Sequence, residues 1–210
     1  VLALVPREVG TATGWLKSAN DSTILYPPCG LASPLQRGQS ASTDVSVQIA
    51  VLTSPSSGDV RTSVPSSVSG FNPGQQYYLE VWVSDIGDIN SGITSAYFDL
   101  DYHADAFSVL SINHNGVFTL FPSGVAGAGT VDELGGSVLS AGNAVEPLWA
   151  RLATVRLFAN ASPPFAFFEA RQSETGIAAY GRGVLSWDVV ALASVGIGVP
   201  VLGDVNADGY

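Results

Sequence analysis

In the stretch "VSVQIAVL" (45–52), Val45, Val47, Ile49 and Val51 alternate with Ser46, Gln48 and Ala50. Successive side chains of an extended chain point to opposite faces, so this period predicts a β-strand with one buried and one polar face. The same period returns twice. In "YYLEVWVSD" (77–85), Leu79, Val81 and Val83 share one face and Tyr78, Glu80 and Trp82 the other. In "AYFDLDY" (96–102), Ala96, Phe98, Leu100 and Tyr102 turn inward while Tyr97, Asp99 and Asp101 face out.

Further strand candidates are "FSVLSI", "GVFTLF", "GSVLSA", "LWARLATVRLF", "FAFFEA" and "GVLSWDVVAL", separated by turn-forming residues at short intervals. Together they make about eight or nine strands, enough for two packed sheets. No helical pattern stands between them to suggest a parallel α/β sheet. The 210 residues suffice for one sizeable core, and 23 Gly and 12 Pro punctuate the chain as an all-β fold requires.

Charge narrows the partners. The formal net charge is −10, and a nucleic-acid backbone demands a positive face that such a chain cannot assemble. Lys17 is the sole lysine, so the residue that most often protects exposed strand edges is nearly absent, and edges here are expected to be available for pairing. Cys29 has no second cysteine to join within the chain and reads as a buried spectator thiol. No stretch approaches the ~20 apolar residues of a membrane span. The start "VLALVPREVG" lacks the basic region and long apolar core of a signal peptide, so a secreted chain is expected to have lost its signal already.

Three regions follow. Residues 1–43 are dense in Pro, Gly and Ser and read as an extended N-terminal arm; 44–197 form the β-sandwich; 198–210 form a linker and a calcium-type motif. The arm cannot bury enough apolar surface to order itself, so it is expected to fold back on the sandwich or dock elsewhere. Its first residues, Val1, Leu2, Ala3, Leu4 and Val5, form a short strand-like segment bounded by Pro6. That segment is suited to completing its own sheet or to donating a strand to a neighbour's edge, and in the second case an open head-to-tail contact builds a filament.

The order of segments resembles a cohesin domain. "FNPGQQYYLEVWVSDIGDINSGITSAYFDLDYHADAFSVLSI" is similar to the cohesin opening, where a Pro-Gly turn leads into a strand, a variable loop and an aromatic-rich strand ending in Tyr. "LWARLATVRLFANASPPFAFFEA" looks like the later "A-T-V" strand, small-residue turn and "F-x-F" strand. "TVDELGGSVLSAG" (130–142) is similar to a segment of cohesin-like modules in planctomycete surface proteins. The resemblance covers roughly 44–195 and implies a cohesin-like jelly-roll β-sandwich of nine strands, extracellular or cell-surface, recognising partners through a sheet face.

"GDVNADGY" (203–210) looks like the first half of a type I dockerin calcium loop, a frequent neighbour of such modules. Asp204, Asn206 and Asp208 occupy the first, third and fifth loop positions, Gly209 the sixth, and Tyr210 offers a backbone carbonyl at the seventh. The later acidic ligand is absent, so weak or incomplete calcium binding is expected there.

Catalytic signatures are weak. His103 and His114 lack zinc-ligand spacing, and no nucleophile elbow or phosphate-cradling glycine loop occurs. Asp99 with Asp101, or Glu169 with Glu174, could in principle pair for glycoside hydrolysis, but a solvated acidic stripe is the default reading. Asp85, Asp88 and Asn90 in "SDIGDINSG" (84–92) offer hard oxygen ligands, with an ordinary inter-strand turn the favoured alternative. Trp15, Trp82, Trp149 and Trp187 with Tyr77, Tyr78 and Tyr97 could supply a sugar-stacking platform. Trp82 and Tyr97, on outward positions, are its best candidates, though aromatics in strands more often pack.

The leading expectation is a non-catalytic extracellular structural or adhesion protein acting through protein contacts, by self-association or with a dockerin-type partner. The alternatives are a carbohydrate-binding module for a polysaccharide and a monomeric cohesin awaiting a separate dockerin.

Overall fold

The computed structural model of the chain describes residues 43–114, 116–140 and 144–198. Val1 to Val5, Cys29, Asp204, Asn206, Asp208 and Tyr210 lie outside these described residues, and so does nearly all of the expected arm.

Two sheets pack face to face. The first contains β1 (Val45–Leu52), β2 (Val60–Arg61), β3 (Gln76–Asp85), β5 (Phe107–Asn113), β8 (Trp149–Ala159) and β12 (Val190–Ala191). Its order is β12-β1-β3-β8, and β2 and β5 lie in tandem along the far edge of β8, against Trp149–Ala150 and Thr154–Ala159 respectively. The second contains β4 (Ile93–Tyr102), β6 (Leu120–Ala126), β7 (Thr130–Ser137), β9 (Phe165–Arg171), β10 (Ile177–Ala179), β11 (Gly183–Val184) and β13 (Ser194–Gly198). Here β6-β7-β4 run side by side, β10 and β9 share the remaining edge of β4, and β11 and β13 extend them. The strand pairings are antiparallel except β1 with β12. This is the all-β, two-sheet jelly-roll sandwich expected from the sequence.

The three alternating stretches lie where their period places them. Val45, Val47, Ile49 and Val51 of β1, Leu79, Val81 and Val83 of β3, and Ala96, Phe98, Leu100 and Tyr102 of β4 all enter one core between the sheets. Its aromatic centre is Phe71, Phe107 and Phe168, with ring centroids 4.7 Å apart for Phe71 and Phe107 and 5.4 Å for Phe107 and Phe168. Burying each such ring contributes about 1.5–3 kcal/mol, and their edge-on and tilted contacts add about 0.5–1.5 kcal/mol per pair.

Three segments depart from expectation. "GVLSWDVVAL" is not one strand: it divides into β11, a single 3-10 turn at Trp187–Val189, and β12. Strands β6 and β7 lie on "LFPSGVA" and "TVDELGGS", later and earlier respectively than the candidates "GVFTLF" and "GSVLSA".

The two outer faces differ. On the first sheet Glu80 and Trp82 point away from the core as predicted, yet both are fully buried. The connection after β1 closes over Glu80: Ser56 donates its backbone N–H to Glu80 Oε1 and its hydroxyl to Oε2, each at 2.7 Å. Arg151 donates to Glu80 Oε1 at 2.7 Å, pairs with Asp59, and sets its guanidinium carbon 5.8 Å from the Trp82 ring centroid. Trp82 is thus walled in and cannot serve as the sugar platform expected of it. The period of the strand gives its side correctly but does not report its burial, where the Arg151 guanidinium, remote in sequence, lies over the ring.

Candidate functional site

Among the described residues, the second sheet keeps part of its outer face exposed. Along β4, the partly exposed Asp99 and Asp101 alternate with the buried Phe98, Leu100 and Tyr102, as the sequence period predicts. Asp101 stands opposite Glu169 of β9, and Asp99 opposite Arg171. Arg171 donates to Asp101 Oδ2 at 2.7 Å, and the Thr130 hydroxyl donates to Oδ1 at 2.9 Å. The hydrogen bond and charge of Asp101, with the charges of Glu169 and Asp99, raise the Arg171 pKa above its ordinary value. Three carboxylates thus act on this arginine, and with Asp132 exposed on β7 the face carries net negative charge.

Tyr97 shares this side but is only 8% exposed, so it too is no stacking platform. Its ring crosses Gly135 of β7, where an added Cβ would stand 2.5 Å from Tyr97 Cδ1 and 2.1 Å from the Ala96 carbonyl oxygen. Only glycine admits that approach. The Tyr97 hydroxyl donates to the Phe121 carbonyl oxygen at 2.9 Å and lies 3.2 Å from Ser137 Oγ. The residue is therefore a cross-strand lock reaching from the centre of the sheet to its edge.

A bulge interrupts β7 beside it. Phe98 faces Leu134 and Leu100 faces Val131, which leaves Asp132 and Glu133 opposite Asp99 alone. Glu133 adopts φ 50°, and its N–H donates to Asp99 Oδ1 at 2.9 Å. Its Oε1 accepts the backbone N–H groups of Glu174 and Thr175 at 2.8 and 3.0 Å, fastening the turn after β9 to the face. Burial by itself pushes the Glu133 carboxyl up, but hydrogen bonds from Thr175, Glu174 and Ser173 outweigh it and hold the group below its ordinary value. Extra residues of this kind re-aim side chains at sheet edges, and sequence periodicity does not register them.

At the rim, β6 pairs with β7 and presents Phe121, 78% exposed, and Val125, 66% exposed. Val125 lies opposite Asp132 in register, so an apolar side chain adjoins the acidic surface. Phe121 holds φ 49°, a left-handed conformation unusual for a bulky residue; strain of this kind gathers at functional positions.

The remaining candidates are dispersed. Asp85 is fully buried: it accepts Gly87 and Gly92 N–H groups at 3.3 and 2.9 Å and an Arg182 guanidinium hydrogen bond at 3.0 Å, while Arg182 also pairs with Asp44 at 2.9 Å. A guanidinium thus meets Asp85. Asp88 is exposed, and the Asn90 amide oxygen accepts from Glu146 N–H at 3.2 Å, so the three potential calcium ligands of this turn have separate surroundings. Among the described residues no group of three His, Cys, Asp or Glu side chains is placed to hold a metal. His103 lies between β4 and β5 with its ring 6.3 Å from Phe167, and burial lowers the pKa of His114. Glu174 is exposed in the turn fastened by Glu133, apart from Glu169 on its strand.

No protein-family model matches the chain, and no curated protein sequence matches it. Solved structures do. A cohesin module from a family 33 glycoside hydrolase of Clostridium perfringens aligns at 15% identity and a TM-score of 0.50, over 75% of this chain and 97% of that module. The seventh ScaB type I cohesin of Pseudobacteroides cellulosolvens aligns at 9% identity and a TM-score of 0.49, over 75% of this chain and 94% of its own. A chain of a type I cohesin-dockerin complex from Clostridium thermocellum aligns at 13% identity and 0.48, over 72% and 99%. The first of these likenesses shows a shared fold, the cohesin-like sandwich that the sequence resemblance implied.

Proposed function

We propose that the domain is a non-catalytic extracellular module that binds another protein on the open face of its second sheet. The observation that carries this reading is the unequal treatment of the two outer faces. Among the described residues the segment around Ser56 and Asp59 closes over Glu80 at the centre of the first sheet, whereas Asp99, Asp101 and Glu169 of the second stay partly exposed, with Arg171 and Asp132 exposed beside them. The second face joins a charged centre at Asp99, Asp101 and Glu169 to an apolar rim at Phe121 and Val125. Protein interfaces combine an apolar anchor with polar surroundings in this way, and an aromatic residue is the commonest kind of anchor.

The partner is a dockerin-type domain that meets the acidic centre with basic side chains and covers Phe121 with apolar ones. The cohesin-like fold and the recognition of partners by a sheet face, implied by the sequence resemblance, support this assignment. Titration calorimetry against a panel of type I dockerin domains in calcium tests it. Binding by wild type that is lost in both Phe121→Ala and Asp101→Lys supports the proposal. Failure of the whole panel, or binding indifferent to both substitutions, contradicts it.

A second reading, self-assembly through addition of Val1 to Val5 to a neighbour's edge, is favoured by the single lysine and by the outer edge of β6, which pairs with no strand among the described residues. Light scattering separates the two readings: a partner-binding module is monomeric alone, whereas a filament subunit forms long assemblies that deletion of residues 1–10 abolishes.

A further inference from the structure

The outer face of the first sheet holds a groove that the protein-binding reading leaves unused. Its volume is about 380 Å³, within the range of small-molecule sites. Tyr78 of β3, Thr154 and Arg156 of β8, and Ser111 and Asn113 of β5 line it, and Ser56 stands on its wall.

The wall is fixed by ions. Glu80, fully buried, accepts two hydrogen bonds from Ser56 and one from Arg151, and Arg151 donates in turn to the Ser56 carbonyl oxygen at 3.2 Å. A buried ion pair is a poor source of net stability, because desolvation of both charges offsets their attraction, but it sets geometry firmly. A loop needed only as a cover could be held by apolar contacts. Held this way, it becomes one side of a rigid cleft.

Two arginines line the groove: Arg151 pairs with Glu80 and Asp59, and Arg156 meets no carboxylate among the described residues. The Arg151 side chain is only 10% exposed, and its Nε has no acceptor among the described residues. Arg156 donates Nε to the neutral Gln76 amide oxygen at 3.0 Å. On a chain of net charge −10, this is an uncompensated cation inside a cleft. Around it stand hydroxyl and amide groups that both donate and accept, and the ring of Tyr78.

We infer that this groove is a binding site for an acidic oligosaccharide, a chain of sugars carrying ring carboxylates. Arg156 receives the carboxylate, the hydroxyl and amide side chains of β5 and β8 receive the ring hydroxyls, and Tyr78 lies against a sugar face. An acidic peptide fits less well. The groove is lined by side chains of three neighbouring strands on a sheet face, so an extended peptide lying in it would meet side chains rather than a hydrogen-bond ladder. The site is separate from the protein-binding face and does not depend on what that face binds.

Affinity electrophoresis of the full chain through gels containing polygalacturonate, its fully methyl-esterified form, or polyglutamate tests the inference. The acidic polysaccharide should retard the wild-type protein and the other two polymers should not. Net repulsion between protein and polyanion makes non-specific retardation an inadequate explanation. Arg156→Gln should weaken retention roughly tenfold, the loss expected when one charge-assisted hydrogen bond goes, with the melting temperature unchanged. Tyr78→Ala should weaken it as well. Absence of retardation, equal retardation by the esterified polymer or by polyglutamate, or retention unaffected by Arg156→Gln in a folded variant would each overturn the assignment.

Discussion

The hydroxyl of Tyr97 donates to the carbonyl oxygen of Phe121 at 2.9 Å, across a sequence separation of 24 residues. It joins the middle strand of the open sheet to the edge strand that carries the exposed aromatic ring, so position at the centre and presentation at the rim are linked.

Removing that hydroxyl should therefore loosen the rim without disturbing the core. Tyr97→Phe is expected to cost about 0.5–1.5 kcal/mol, the net worth of one hydrogen bond. Denaturant unfolding measures the loss, and faster hydrogen exchange confined to β6 would show where it falls.

Gly135 is fixed by contact rather than by backbone angle. A Cβ there would stand 2.1 Å from the Ala96 carbonyl oxygen, which belongs to rigid backbone. Gly135→Ala should destabilise the fold by about 1–3 kcal/mol or more, as overpacking does. Gly74, whose added Cβ would meet nothing within 4 Å, provides a contrast: its φ of 79° predicts a purely conformational penalty.

Breaking the ionic wall of the first sheet should be costlier than replacing it. Arg151→Met leaves the Glu80 carboxylate buried without its cation, and a loss of about 3–5 kcal/mol is expected. The double variant Glu80→Leu with Arg151→Met should recover much of that loss in equilibrium unfolding, while freeing the wall around Ser56. Equal stability of the single and double variants would contradict this account of the network.

Acid should release the turn after β9. The Glu133 carboxyl is held below its ordinary pKa of 4.5 in the folded protein, so its contribution is present above that value and is lost as pH falls through the lower, folded one. The Glu174 and Thr175 amides, protected at neutral pH, should become more mobile by NMR under those acidic conditions. In Glu133→Gln the charge-dependent part of this change should vanish.

Much of the fold was legible because alternation reports a buried face directly: β1 matches its sequence stretch residue for residue, and β3, β4, β5, β8 and β9 lie on theirs. Strands β6 and β7 were displaced because their sequences run against β propensity. Pro122 is tolerated on an edge strand, and Gly135 and Gly136 serve close approach, since a Cβ on Gly136 would stand 2.6 Å from the Phe118 carbonyl oxygen. The acidic side of the candidate face was readable at Asp99 and Asp101. Its other parts were not, because Glu133 acts from a bulge and Phe121 from a left-handed conformation, neither of which leaves a periodic trace. Trp82 and Tyr97 failed as surface residues for one reason: alternation tells which side a residue takes, whereas exposure depends on what else the chain lays over that side.

The central claim is that the open face of the second sheet is where another protein binds. Hydrogen-exchange footprinting of the full chain, with and without a saturating dockerin domain selected by calorimetry, tests it most directly. The account predicts protection along β6, β7, β4 and β9, with the strands of the first sheet unchanged. Protection confined to the first sheet, with the second sheet exchanging as in the free protein, would contradict it.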